Sequence, residues 1–226
     1  MRIGIIGAGY VGRAVAQHAI VQGHEVMVAN SRGRQSLFSL SAALRCHIGT
    51  AAEAAAFGEV VVAAIPFHAY PTLPGAELAG KIVLDAMNHY PERDGPIAVL
   101  DERRATTSGL LAEHLPAARI VKAFNAIRAQ DLETDGRPAG APGRRALPLA
   151  GDDVPAKAVA AELVDQFGFD PVDAGSLAES WRFERGKPAY CVPLDRAGLL
   201  QALAVAERDG EVAHGSWRKD LSRAMG

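Results

Sequence analysis

A strand, a glycine-rich turn and the start of a helix constrain this chain more than any other feature in it. Arg2 to Ile6 is a short apolar run that reads as a buried strand. It leads straight into Gly7-Ala8-Gly9-Tyr10-Val11-Gly12, and a helical stretch follows. The three glycines have separate physical roles. Gly7 permits a tight turn, Gly9 lets a pyrophosphate approach the backbone, and Gly12 lets the helix pack closely on the strand. The helix start offers unpaired N–H groups and the positive end of a dipole to phosphates. Glycine-rich turns are common, and the alternative is a turn with no ligand. The strand before and the helix after are the context that a dinucleotide site requires.

The next strand, Val26 to Ala29, chooses the nucleotide. A site for NAD would usually end this strand in Asp or Glu, which accepts from the ribose hydroxyls. Here the turn is Asn30-Ser31-Arg32-Gly33-Arg34, with two guanidiniums, a hydroxyl and no carboxylate. The planar fork of Arg donates two parallel charge-assisted hydrogen bonds to a phosphate. One such bond contributes about 1.5–3 kcal/mol, so the turn predicts NADP(H) over NAD(H). The alternative is a solvated loop rich in Ser and Arg.

At 226 residues the chain fits one large domain, or one ordinary domain with a small appendage. A formal net charge of −2 argues against a dedicated nucleic-acid or anionic-membrane surface. The pairs Arg103-Arg104 and Arg144-Arg145 read as solvated faces. No stretch approaches the ~20 apolar residues that span a bilayer. The first residues form a core strand and not a signal peptide. Cys46 and Cys191 lie far apart without CxxC spacing, so a reduced, cytoplasmic setting is expected, with a disulfide left open. The seven histidines show no metal-ligand spacing, and no metal site is expected. A homodimer is left open.

Strand and helix patterns alternate along the chain as a parallel α/β sheet demands. Helices are expected at Arg34–Leu44 and Ala51–Phe57, and strands at Cys46–Thr50, Glu59–Ile65, Lys81–Met87 and Arg119–Ala126. Thr107 and Ser108 are candidate caps of a further helix. Residues 135–145 are dense in Gly, Pro and Arg, a loop that could mark a domain boundary. Beyond it come a strand at Ala146–Ala150, a helix capped by Asp152 or Asp153, a strand at Asp170–Asp173 and a helix over Leu194–Glu207. The tail after Gly210 is polar and reads as loosely ordered.

The GAGYVG fingerprint, Asn30-Ser31-Arg32, Ala64-Ile65-Pro66 and Val121-Lys122-Ala123-Phe124-Asn125 occur in order, followed by Gly151-Asp152-Asp153 and Asp173-Ala174-Gly175-Ser176-Leu177. As an ordered set they resemble the NADP oxidoreductases that depend on the deazaflavin coenzyme F420, including the reduced-F420:NADP oxidoreductases and their bacterial branch. The resemblance implies a Rossmann fold, a doubly wound and mostly parallel sheet, over residues 1–150. A small C-terminal α/β extension, 151–226, would close over the nicotinamide. It places Gly7 to Gly12 at the pyrophosphate, with Ala8 to Val11 in contact, and Ser31 and Arg32 at the 2′-phosphate beside Asn30 and Arg34. Ala64, Ile65, Pro66 and Asn88 fall on the ribose and nicotinamide side. The turn before Ser31 is one residue longer than in the archaeal enzymes, and Ser180 to Tyr190 follows the bacterial branch.

Hydride transfer from NADPH to a flavin or deazaflavin ring needs no side-chain nucleophile, because the two rings carry the reaction. A carbonyl or imine acceptor must instead be protonated by a positioned acid. His68, Asn88, His89 and Asn125 follow or end strands, where open α/β sheets bind ligands. Asn88 and Asn125 could equally cap loops or satisfy backbone groups, and for His68 and His89 a structural role is the stronger reading. Trp181 and Tyr190 could wall the acceptor pocket or anchor the C-terminal segment, and no side chain is assigned as catalytic. The runner-up is a β-hydroxyacid dehydrogenase or imine reductase. Too few residues follow Gly151 for the helical domain of those enzymes, Lys122 falls in a strand, and Lys157 is expected to face outward. A non-catalytic NADP-binding redox sensor is the third reading.

Overall fold

Val60–Ala63 and Ile82–Asp85 are buried along their whole length, as strands covered on both faces must be. The computed structural model describes residues 1–212. In chain order the first half contains β1 (Arg2–Ile6), α1 (Tyr10–Val21), β2 (Glu25–Ala29), α2 (Phe38–Leu44), β3 (His47–Gly49), α3 (Ala51–Phe57), β4 (Val60–Ala63), α4 (Gly75–Leu78) and β5 (Ile82–Asp85). The second half contains α5 (Pro91–Asp94), α6 (Ala98–Asp101), α7 (Thr107–His114), β6 (Arg119–Lys122), α8 (Ala129–Thr134), β7 (Ala146–Gly151), α9 (Val154–Gln166), β8 (Asp170–Asp173) and α10 (Arg196–Ala204). A 3₁₀ segment, Leu177–Phe183, lies between the last two.

The strands form one sheet in the order β3-β2-β1-β4-β5-β6-β7-β8. The first six are mutually parallel, with Ile5 opposite both Val28 and Val62. β7 runs antiparallel to β6, and β8 parallel to β7. This is the doubly wound, Rossmann-type α/β sheet with a reversed far edge. The order reverses between β1 and β4, which opens a crevice at the carboxyl ends of the strands. Ala14, Val15, Leu132, Leu163 and Phe167 cover one face of the sheet. Ala54, Leu78, Leu111 and Leu115 cover the other. A third cluster, with Val172, Phe183, Leu199 and Leu203, closes the far edge.

Helix starts follow the capping chemistry closely, with corrections. Asp153 caps α9 and Asp195 caps α10, which starts later and stops earlier than its apolar pattern suggests. Thr106, not Thr107 or Ser108, caps α7 by accepting from the Gly109 N–H. The Arg144-Arg145 pair is buried and not solvated. Arg144 reaches Asp165 and Asp170, each at 2.7 Å, while Arg145 reaches Asp135 at 2.7 Å and Asp131 at 3.0 Å. These pairs let the loop over 135–145 fold onto the sheet without burying bare charge. Lys157 likewise does not point freely outward but pairs with Asp173 at 2.8 Å. Beyond Val212, the expected loose tail lies outside the described residues. No helix among them is long and apolar enough to cross a membrane.

Candidate functional site

Gly7 and Gly12 make the tight turn and the close helix approach that their spacing predicts. Gly7 has φ +117°, and a Cβ there would stand 2.2 Å from the Ala64 carbonyl oxygen. A Cβ on Gly12 would meet the Gly7 carbonyl oxygen at 1.9 Å, so helix and turn are in direct backbone contact. Over Gly9 there is nothing within 4 Å. Gly9 also forms the start of α1 and carries no side-chain cap, which leaves the first N–H groups of the helix available. This cradle fits a pyrophosphate. Ala8 is buried, Tyr10 is exposed, and Val11 faces the cleft described below.

Beyond β2 the turn is ordered by its own Asn. Asn30 Oδ1 accepts from the Arg32 N–H at 3.0 Å, and Asn30 Nδ2 donates to Ser36 Oγ at 2.9 Å. Ser31 and Arg32 are exposed, and the Arg32 guanidinium has no partner among the described residues. Arg34 does not share that freedom. It is paired with Glu53 of α3, a carboxylate that the reading of the turn alone overlooks. The signal for it was present, since Thr50-x-x-Glu53 is a capping-box pattern that fixes Glu53 at the start of α3.

At the carboxyl ends of β5 and β6, Asn88 and Asn125 hold one another. Asn88 Nδ2 donates to the Asn125 carbonyl at 3.0 Å; Asn125 Nδ2 donates to Asn88 Oδ1 at 3.2 Å and to the Phe183 carbonyl at 3.1 Å. Both therefore satisfy backbone groups. Both also line a cleft of about 250 Å³ with Val11, Ile127, Tyr90 and Tyr190. Ala64, Ile65 and Pro66 follow β4 on the same edge, with Pro66 exposed.

The extended segment 88–90 alternates its side chains between two clefts. Asn88 and Tyr90 face the one above, while His89 faces a larger cleft of about 420 Å³ that Asp101, Thr107 and Trp181 also line. Trp181 and Tyr190 thus do not form a common wall. Tyr190 stands in the smaller cleft with its hydroxyl bonded to that of Tyr90. Trp181 stands in the larger one, with Lys187 and Arg208 against its ring at 5.5 and 5.7 Å. The sequence carries no period over 177–190 that would separate the two.

The histidines serve a buried carboxylate. His68 Nδ1 lies 2.8 Å from Asp94 Oδ1, and His89 lies between Asp94 and Asp101 at 3.7 and 3.5 Å. Burial works against the charge on Asp94. Hydrogen bonds from Arg93, the Tyr90 N–H and His68 outweigh it and hold the carboxyl well below its usual range. Beneath Asn88 lies a second buried group. Lys122 donates to Asp85 Oδ2 at 3.1 Å, to the Met87 carbonyl at 2.7 Å and to Thr107 Oγ1 at 2.7 Å. Asp85 also accepts from Ser108 at 2.5 Å and from the Met87 N–H at 2.9 Å, while Thr107 donates to Glu184 at 2.6 Å. Sequence reasoning missed Asp85, although Asp85 and Lys122 are register partners on neighbouring strands. Both cysteines are free and buried, and burial pushes the Cys191 thiol up to about 11.

Residues 2–89 match the family described as NADP oxidoreductase, coenzyme F420-dependent. A hypothetical protein from Sinorhizobium meliloti has a solved structure that superposes with a TM-score of 0.75 at 30% identity, over 87% of this chain and 95% of that one. By its residues 2–89 the chain belongs to this NADP oxidoreductase family. A second solved structure, a putative F420-dependent NADP reductase from Arthrobacter sp. FB24, gives a TM-score of 0.64 at 27% identity, over 77% of this chain and 84% of that one. Rat metalloreductase STEAP3 is 31% identical over 198 residues, 85% of this chain but 38% of that protein. The chain therefore spans about two fifths of the length of that curated relative. Within the family's matched region lie the glycine turn, the Arg32 turn, Ala64 to Pro66 and Asn88. Asn125 and the segment over 177–190 lie outside it.

Proposed function

We propose that this protein is an enzyme that binds NADP(H) at the carboxyl edge of its sheet and passes a hydride between the nicotinamide and a planar redox ring, a flavin or the deazaflavin F420. When bound, NADPH supplies the hydride from its nicotinamide C4, and the ring accepts it. The chain's part is to bind, orient and exclude water. The backbone over Gly9 and the open helix start receive the pyrophosphate, and Arg32 and Ser31 receive the 2′-phosphate. Ile65, Pro66 and Asn88 border the nicotinamide side. The cleft of Val11, Ile127, Asn125 and the Tyr90–Tyr190 pair receives the second ring, with residues after 150 as its cover.

One observation supports a ring acceptor above the alternatives. Near this cleft Lys122 is engaged with Asp85, Met87 and Thr107, Asp94 with Arg93 and His68, and the Tyr90 and Tyr190 hydroxyls with one another. A carbonyl or imine needs an acid aimed at it, and a ring that takes hydride directly does not need one from these residues. The test is steady-state oxidation of NADPH and of C4-deuterated NADPH with flavin, deazaflavin, β-hydroxyacid-derived carbonyl and cyclic imine acceptors. Reduction of a ring acceptor with a primary isotope effect is the expected result. Turnover of the carbonyl or imine alone promotes the dehydrogenase or imine reductase reading, and tight NADPH binding with no turnover promotes the sensor.

A further inference from the structure

We propose that Glu53 limits the preference of this site for NADP(H) over NAD(H), by occupying Arg34 and by setting a carboxylate beside the turn that receives the 2′-phosphate. The inference rests on the NADP(H) reading above and adds a determinant from a different element. β2 and β3 end side by side, with Ala29 opposite Gly49. The chain then turns through Thr50 into α3, and Glu53 is the third helical residue. Its Oε2 accepts from the Thr50 N–H at 2.7 Å, while its own N–H donates to Thr50 Oγ1 at 3.2 Å. The capping box thus fixes the carboxylate in place, and Arg34 Nη2 reaches across to Oε1.

Arg34 and Thr50 hydrogen bonds hold the Glu53 carboxyl down to about 2, so the group is charged at every pH at which the protein would be used. An arriving 2′-phosphate finds an Arg32 guanidinium with no partner among the described residues, but it must share Arg34 with Glu53. It must also accept a like charge nearby. An adenosine ribose without the phosphate meets neither penalty. Glu53 therefore weakens NADPH selectively, and Arg32 outweighs it.

The measurement is NADPH and NADH affinity by fluorescence titration of the full chain, at low and high salt. Glu53→Gln is the decisive variant, because Gln also serves the third position of a capping box and keeps α3 started. It should bind NADPH about three- to tenfold more tightly with NADH within twofold of wild type, and the gain should shrink at high salt. Glu53→Asp, whose shorter side chain draws the carboxylate back from Arg34, should also tighten NADPH with NADH unchanged, and unchanged NADPH binding there overturns the inference if the Gln variant unfolds. Weaker or unchanged NADPH binding in a folded Glu53→Gln variant overturns the inference. Arg32→Ala in the same series separates the two levels. If it weakens NADPH while Glu53→Gln changes nothing, only the role of Glu53 falls; if it changes nothing, the NADP(H) reading falls and this inference with it.

Discussion

At the scale of single residues, Gly9 and Gly12 sit in one motif and answer to different forces. Empty space over Gly9 means that Gly9→Val should fold with a near-normal melting temperature and bind no NADPH, as read by calorimetric titration. Gly12 has a carbonyl oxygen where its Cβ would go, so Gly12→Ala should cost about 1–3 kcal/mol of stability, measured by urea unfolding, before any effect on binding. Cys191 makes a third point. With its thiol pushed up to about 11 by burial, it stays protonated at neutral pH and should resist iodoacetamide in the folded protein. Mass spectrometry should find Cys191 unmodified until denaturant is added. The glycine roles were legible from spacing, because each depends on neighbours a few positions away. The burial of Arg144 and Arg145 was not, because their partners Asp165, Asp170, Asp131 and Asp135 lie on other elements and nothing local announces them.

Among elements, the two buried carboxylates hold the edge of the site in shape. Lys122 and Asp85 join β6 to β5 and, through Met87 and Thr107, fix the start of the segment that carries Asn88. Lys122→Met strands Asp85 without its counter-charge and should cost about 3–5 kcal/mol in chemical unfolding. Adding Asp85→Leu should recover much of that loss, because the double variant buries no charge. Asp94 ties His68 and Tyr90 to the same stretch. Its folded carboxyl titrates below the unfolded one, so its contribution is complete above the ordinary carboxylate range and is lost as pH falls through the folded value. Asp94→Asn should therefore cost about 1–3 kcal/mol at pH 7, and the difference from wild type should shrink below about pH 4. Strand and helix positions were readable because their periods are local: α3 and β8 stand where the apolar patterns put them. Which side chains share a cleft was not readable, since Trp181 and Tyr190 lie in a 3₁₀ and turn region without a repeat.

Over the whole molecule, the reversal at β7 decides where the later residues go. Because β7 runs against the six parallel strands that precede it, the chain leaves the sheet at the far edge, and Leu177–Phe183 brings it back across β6, β7 and α7. That return delivers the Phe183 carbonyl to Asn125, the Glu184 carboxylate to Thr107 and the Tyr190 hydroxyl to Tyr90. The glycine turn and the Asn88–Asn125 edge of the cleft are thus completed at different times on a ribosome. A nascent chain can close its first six strands and form the turn around Gly9 while Asn125 still lacks the Phe183 carbonyl to which it donates. On the function proposed above, an incompletely synthesised copy would take up the nucleotide before it could aim a ring at it.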